Sequence, residues 1–466
     1  MFLPKKSLEN PARLRYNTIA GKAGERKKAM KKFAFIGAGS FSFTRTLVRD
    51  LLTYPAFADA EIALMDIDRA RLDGITAAVQ KIVTEMKSPA KITPTMSRAE
   101  ALTGADGVVC TVFNGGVDVW RYEVEIPKQF GVDINVGDTR SVSGIFRALR
   151  NIPLMLDICH DIEKYCPNAV FLNYTNPMAM LCKAMQTYTK VDVTGLCHSV
   201  QGTISMLASW MGIPLKDIDY VCAGVNHQAF YLKLERNGED LYPLLRSRVE
   251  REDIYRQEMV RNEMFRHLGY YVTESSGHNS EYNAWFRKRP DLIEKYCSSG
   301  AGNYGKHRMS LDLHIYREKE GGWQKELAEW MKQPVDTARS REYASEIFNA
   351  RLGDHTPFRF NANVINNGAI SNLPQDACVE IPALVDRAGL HPMTVGAMPK
   401  HLAILVNTTA SIENLVVEAA MEKNKQKAIW AVTMDPLTSA VCSLAEIHEM
   451  CDLIFEKNSE YLGDYT

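Results

Sequence analysis

Neither sign of charge dominates this sequence: 55 Lys and Arg stand against 56 Asp and Glu, a net of −1 over 466 residues. A nucleic-acid binder is thereby disfavoured, because it needs a basic excess to face phosphates. Long apolar runs are scarce too. With 46% hydrophobic and 24% charged residues, the chain is too often interrupted by charge to read as a set of membrane spans and too apolar for disorder. None of the ten cysteines, at 110, 159, 166, 182, 197, 222, 297, 378, 442 and 451, forms a Cys-x-x-Cys pair, which removes zinc ribbons and small disulfide scaffolds. Internal repeats and low-complexity stretches are also missing. What remains is an ordinary globular composition, long enough for two or three domains.

Charge is uneven in one place. Residues 1–32 carry ten Lys or Arg and two acids, Glu9 and Glu25, leaving 45 basic and 54 acidic residues in the rest. That segment lacks an apolar stretch long enough for a signal-peptide core and reads as a basic tail, or as leader to a start at Met30. Together with the unpaired-looking cysteines it gives the expectation of a reducing, cytoplasmic location.

Between 33 and 200, short apolar runs at 33–37, 61–66, 107–113, 169–173 and 192–197 alternate with helical spacing. Such β-α-β-α alternation predicts an α/β, Rossmann-like doubly wound parallel sheet, whose ligands bind beyond the carboxyl ends of the strands. From 201 to 466 the pattern changes to a polar-alternating strand near 228–235 and helices near 251–268, 399–421 and 438–457. This predicts a second, α+β domain. Residues 269–310, rich in Gly, Ser, Asn, His and Tyr, suit a site-forming or oligomer-forming loop.

The first strand runs into Gly37-Ala38-Gly39-Ser40-Phe41-Ser42, ahead of a helix expected near Thr44. Gly37 suits a tight turn, Gly39 a close backbone approach to a pyrophosphate, and the helix N-terminus supplies donors; Ser42 stands where a third glycine is usual. The second strand ends in Asp66, placed for an adenosine ribose diol and favouring NAD over NADP. Ser40, Phe41 and Asn114, at the edges of the same strands, complete the candidate cofactor set.

The fifth strand leads into Gly195-Leu196-Cys197-His198-Ser199-Val200, with Asn226-His227 thirty residues on. A thiolate and an imidazole at strand ends can hold a metal with open positions; a buried cysteine and a hydrogen-bonded core histidine are the competing reading. Cys159-His160, by contrast, falls inside a helical run. The fourth strand ends in Asn173-Tyr174-Thr175-Asn176-Pro177, and Asp138 precedes another helix, so Asn176 and Asp138 are candidates for sugar hydroxyls, or for caps and turns.

These residues resemble glycoside hydrolase family 4, an exception to two-carboxylate glycosidase chemistry. The resemblance runs from about Lys32 to the C-terminus through FIGAGS, ALMDID, NYTNPMAM, GLCHSVQGT, CAGVNHQAFYL and GYYVTESS. Cys-His-Ser-Val is similar to the branch acting on α-galactosides. The resemblance implies Cys197 and His227 as ligands of manganese(II), His198 as proton donor to the leaving group, and Asp138 and Asn176 as substrate contacts. It also implies oxidation at sugar carbon 3 by NAD+, elimination, water addition and re-reduction, on a small-molecule α-galactoside in a homodimer or homotetramer. The carbon-2 base is expected to be Glu274, with Tyr271 and His278 behind it. Absence of an evident basic clamp beside GLCHSVQGT argues for an unphosphorylated sugar, although Arg121, Arg140 and Lys183 are available to form one. α-Glucosides, 6-phosphoglucosides and α-galacturonides are the other substrates in view, an NAD-dependent sugar dehydrogenase is the rival enzyme, and an NAD-sensing or sugar-binding regulator the rival without catalysis.

Overall fold

A computed structural model describes residues 30–297 and 311–466. Residues 1–29 of the basic segment and 298–310 of the Gly- and Ser-rich segment lie outside the described residues. The strands are β1 (Lys32–Ile36), β2 (Glu61–Met65), β3 (Lys91–Thr95), β4 (Gly107–Cys110), β5 (Val170–Asn173), β6 (Val193–Gly195), β7 (Asp219–Val225), β8 (Gln228–Arg236), β9 (Glu239–Asp240), β10 (Phe358–Ile365), β11 (Cys378–Val385) and β12 (Leu390–Pro392). They form one sheet, ordered β3-β2-β1-β4-β5-β6-β10-β11-β7-β8-β9, with β12 on β11. The first six are parallel, in the order of a doubly wound dinucleotide-binding fold. From β6 onward every pairing is antiparallel. The Rossmann-like half and the α+β half therefore share a continuous sheet.

Alternation along the parallel strands buries both faces. Ala34, Ile36, Ala63 and Val108 enter one apolar cluster, while Phe33, Phe35, Ile62, Leu64 and Val109 enter the other. The predicted apolar runs correspond to β1, β2, β4, β5 and β6. β3 has no counterpart among them, because it is an exposed edge strand carrying Pro94.

Helices differ from expectation mainly at their ends. The first begins at Phe41, three residues before the expected start, since Gly37 at φ 79° turns the chain early enough for Thr44 N to donate to Ser40 O at 2.9 Å. The stretch 251–268 divides into Glu252–Tyr255 and Met259–Leu268, and 438–457 into Pro436–Val441 and Leu444–Lys457, the latter opened by a Ser443–Glu446 capping box. Helix Lys400–Glu422 is long and apolar enough to cross a membrane by length and composition alone. Its Leu402, Val406, Ala410, Val416 and Val417, however, are core residues, and Glu413 on the same helix is buried against Arg140.

A buried ion pair ties the C-terminal helices to the parallel half. Arg150 Nε and Nη2 donate to Glu123 at 2.8 and 3.1 Å, Asn458 Nδ2 donates to the same carboxylate at 3.0 Å, and the two charged side chains are fully buried. Breaking such a pair strands a desolvated charge. Arg150→Ala is therefore expected to cost about 3–5 kcal/mol of unfolding free energy, read as a lower denaturant midpoint with unchanged slope.

Candidate active site

The carboxyl ends of the parallel strands converge on one crevice. After β1, Gly37 N and Ala38 N both donate to Met65 O, and Gly39 N donates to Asp66 Oδ2 at 2.7 Å. A Cβ on Gly37 would meet Thr111 O at 2.9 Å and one on Gly39 would meet Asp66 Oδ2 at 2.7 Å, so the loop is built to keep bare backbone at this point. Asp66 also accepts from Asp68 N. Asn114 lies past β4 with Nδ2 bonded to Arg150 O. Ser40 is the N-cap residue of helix Phe41–Leu52, and the Phe41 ring packs edge-on against Trp330. The loop, the acid after β2 and the helix N-terminus fit a dinucleotide pyrophosphate and ribose.

Beyond β6, Cys197 meets His227. The histidine is the second residue of the two-residue turn joining β7 to β8, at φ 63°, and its Nε2 lies 3.2 Å from Cys197 Sγ. Its other nitrogen, Nδ1, is held by Tyr282 OH at 3.1 Å and Thr139 Oγ1 at 3.2 Å. Glu274 completes the group: Oε2 is 3.4 Å from His227 Nε2, and Oε1 is 3.2 Å from His278 Nδ1. The ligand atoms of Cys197, His227 and Glu274 all fall within 4.8 Å of one another. One imidazole nitrogen pinned by hydroxyls, with the other facing a thiol and a carboxylate, is the arrangement metal-ligating histidines adopt. Sulfur, nitrogen and oxygen donors here fit a divalent transition-metal ion.

Electrostatics set the protonation of these donors. Burial, then the charges of Glu380 and Glu274, push the Cys197 thiol well above its usual range, with Ser199 pulling weakly the other way. Burial holds His227 neutral, down to about 4. The donor set is protonated at sulfur and neutral at nitrogen, so a bound cation would displace one proton. Glu274 is pushed up by burial, but the facing His227, His278 and His198 outweigh this and hold it at about 2.

The candidate substrate residues join the same network. Asn176 Nδ2 donates to Asp138 Oδ2 at 2.8 Å, Thr139 Oγ1 donates to Asp138 Oδ1 at 2.7 Å, and His278 Nε2 lies 3.5 Å from Asp138. Burial raises the Asp138 carboxyl, yet the His278, His227 and Arg147 charges hold it far below the usual carboxylate range. The loop carrying Asp138 is fastened from the other half of the chain, where Glu281 accepts from Asn135 N, Val136 N and Gly137 N at 2.6, 2.7 and 2.9 Å.

One expectation requires correction. Tyr271 is not at the site: it is fully buried, packs edge-on against Trp210, and donates its hydroxyl to Asn262 Oδ1 at 3.0 Å. Residues 271–273 run beside β8, with Tyr231 N bonded to Tyr271 O and Thr273 N to Ala229 O. The pairing ends at Thr273, and Glu274, at φ 67°, turns out of it toward His227 and His278, whereas Tyr271 stays in the core. The cations weighed for a phosphate clamp are engaged elsewhere, Arg140 with Glu413 and Asn226 O, Lys183 with Asp376, and Arg121 with Tyr122. Tyr282 and Thr139, which orient His227, and Glu281 were not singled out from sequence.

Comparison with known proteins gives this geometry its class. The family model for family 4 glycosyl hydrolases matches residues 32–213, and that for the C-terminal domain of the same family matches residues 222–438. The chain belongs to this family and is a glycosidase. It is 37% identical to an α-galactosidase of Bacillus subtilis (strain 168), over 94% of this chain and all of the relative. It is 36% identical to an α-galactosidase of Rhizobium meliloti (strain 1021), over 93% of this chain and 90% of the relative. In fold it is similar to the crystal structure of the putative glucosidase lplD from Bacillus subtilis, with TM-score 0.79 at 24% identity, covering 91% of this chain and 99% of that one. A 6-phospho-α-glucosidase from gut microorganisms, solved with NAD and Mn2+, gives TM-score 0.78 at 21% identity, covering 94% and 100%.

Proposed function

We propose that the enzyme hydrolyses α-galactosides of the melibiose type, using NAD+ and manganese(II) without net consumption of either. The observation that carries this reading is the approach of Cys197 Sγ to His227 Nε2, with Glu274 alongside, at the end of β6 next to a dinucleotide loop. The two α-galactosidase relatives supply the substrate class. Cys197 and His227 would hold the metal, and Gly37, Gly39 and Asp66 the dinucleotide. When bound, NAD+ would accept hydride from sugar carbon 3 and the metal would polarise the resulting ketone, which together make the carbon-2 proton acidic.

The chain's own residues then act on protons and orientation. Asp138 and Asn176 accept and donate toward sugar hydroxyls, and their mutual bond fixes both before substrate arrives. Glu274, ionised and buried beside His278, takes the carbon-2 proton. His198, half open to solvent at the mouth, gives a proton to the departing oxygen. Engagement of Arg140, Lys183 and Arg121 supports an unphosphorylated sugar. Ten unpaired cysteines support a reducing, cytoplasmic setting, and exposed Ile404, Trp430 and Met434 support a homodimer or homotetramer.

The test is release of galactose from melibiose with NAD+, manganese and thiol each omitted in turn. Activity should need all three, with no build-up of NADH absorbance. Full activity after chelation and removal of nucleotide would sink the mechanism, and stoichiometric NADH would favour a dehydrogenase. A strong preference for the 6-phosphorylated sugar or an α-galacturonide would move the substrate class alone.

A further inference from the structure

His198 stands at the N-cap of helix Ser199–Met211, with 61% of its side chain exposed and no capping bond of its own. An imidazole this open samples several rotamers unless a neighbour selects one. Two side chains lie beside it. The Phe43 ring lies 6.5 Å away between centroids, and Glu342 Oε1 lies 3.9 Å from His198 Nδ1.

Glu342 is itself held firmly. It belongs to residues 339–343, which cross from the first helix to the site. Arg339 donates to Thr53 Oγ1 at 2.9 Å and to Tyr54 OH at 2.7 Å, with its guanidinium over the Tyr54 ring. Ser340 N and Oγ both bond to the buried carboxylate of Asp50. Glu342 N donates to Ser340 Oγ at 3.1 Å, and Gln201 Nε2 of the His198 helix donates to Arg341 O at 3.5 Å. Helix Ala344–Leu352 follows at once and buries Ile347 and Phe348 in the core. The backbone that carries Glu342 is thus pinned on both sides, and the half-buried Tyr174 adjoins its carboxylate.

We propose that Glu342 is a positioning residue for leaving-group protonation: by facing Nδ1 it selects the ring orientation in which Nε2 of His198 is turned to the glycosidic oxygen. This rests on the reading of His198 as proton donor. In that step the Nε2–H bond breaks and an O–H bond forms as the bond from carbon 1 to the glycosidic oxygen breaks. The electron pair of the broken bond stays on the departing oxygen, and the pair left at carbon 2 by loss of its proton becomes the new double bond to carbon 1. Glu342 exchanges no proton.

Two substrates separate orientation of the donor from general damage. The glucose of melibiose departs as a sugar alkoxide unless protonated, whereas the nitrophenyl group of 4-nitrophenyl α-galactoside departs as a stable phenolate. Glu342→Ala should lower kcat on melibiose roughly 10- to 10²-fold, the cost of a misplaced catalytic group, and lower it far less on the nitrophenyl substrate. Glu342→Gln keeps the shape and an acceptor oxygen and should recover part of the loss; it carries the same comparison if the alanine variant does not fold. In a His198→Asn background, Glu342→Ala should add nothing, since the two changes remove one function. Equal losses on both substrates, or a full additional loss in the His198→Asn background, would overturn the proposal. Should His198→Asn alone lose equally on both substrates, the proton-donor reading itself falls.

Discussion

Cys197→Ser and His227→Ala are each expected to lower kcat/KM on melibiose by at least about 10³-fold while NAD+ still binds. The size follows from the part a divalent ion plays next to a developing negative charge. Lewis-acid stabilisation of that kind is worth several kcal/mol, and each 1.4 kcal/mol is roughly tenfold in rate. Loss of either donor leaves the other, with Glu274, to hold the ion. His227 is a severe test because its ring is placed by two hydroxyls, Tyr282 OH and Thr139 Oγ1, so that Nε2 can face only Cys197 and Glu274. Gly37, Gly39 and Asp66 touch neither residue, which is why dinucleotide binding should survive. Metal content by atomic absorption and NAD+ affinity by fluorescence titration accompany the rate. A variant that keeps near-normal rate and metal content would show that the ligands were wrongly assigned.

The parallel half of the molecule could be read from the amino acids because both faces of its strands are buried. Two-sided burial turns β1, β2, β4, β5 and β6 into uninterrupted apolar runs, and the functional residues follow each run directly. β3 escapes that reading because an edge strand facing water has no such run, and KITPT carries Pro94 besides. β11 escapes for another reason: its eight residues contain the buried Glu380 and Pro382, which break an otherwise apolar strand.

Within the site, what could be read was what lies next to a strand end in sequence. Cys197 and Asn176 are of that kind, Asp138 stands instead just before a helix, and the structure brings all three together with His227. The Asp138–Asn176 bond was not legible, since nothing local pairs a loop before one helix with a loop before another. Glu274 was named as the nearest carboxylate, and its position comes from long-range pairing of residues 271–273 with β8. The same pairing removes Tyr271, whose ring is held in the core against Trp210 and whose hydroxyl donates to Asn262 Oδ1. Glu342 carries no motif, and Tyr282 lies in Glu281-Tyr282-Asn283-Ala284-Trp285-Phe286, a stretch the family resemblance includes, without being singled out there. Each reaches the site from a distant segment whose placement depends on packing, through Asp50 for the one and the loop fastened by Glu281 for the other.

Glu274→Gln is expected to slow exchange of the carbon-2 proton by about 10²–10⁴-fold, the usual range for loss of a general base, and to spare hydride transfer. A base contributes only where its proton moves, so substrate binding and NAD+ binding should remain. Two observations favour Glu274 over its neighbours. Its carboxylate stays ionised in spite of burial, and the imidazoles face it, His278 at Oε1 and His227 at Oε2. His278 is the competitor the structure leaves, as it sits between Glu274 Oε1 and Asp138 Oδ1. Turnover in deuterated water decides between them, since the wild type should place deuterium at carbon 2 of released galactose. Slow incorporation by Glu274→Gln, with metal content unchanged, assigns the base; normal metal and normal incorporation by Glu274→Gln, with slow incorporation by His278→Asn, would assign it to the histidine. Loss of metal from Glu274→Gln would instead make the carboxylate a third ligand, consistent with its placement within 4.8 Å of the Cys197 and His227 donors, and would transfer the role of base to His278.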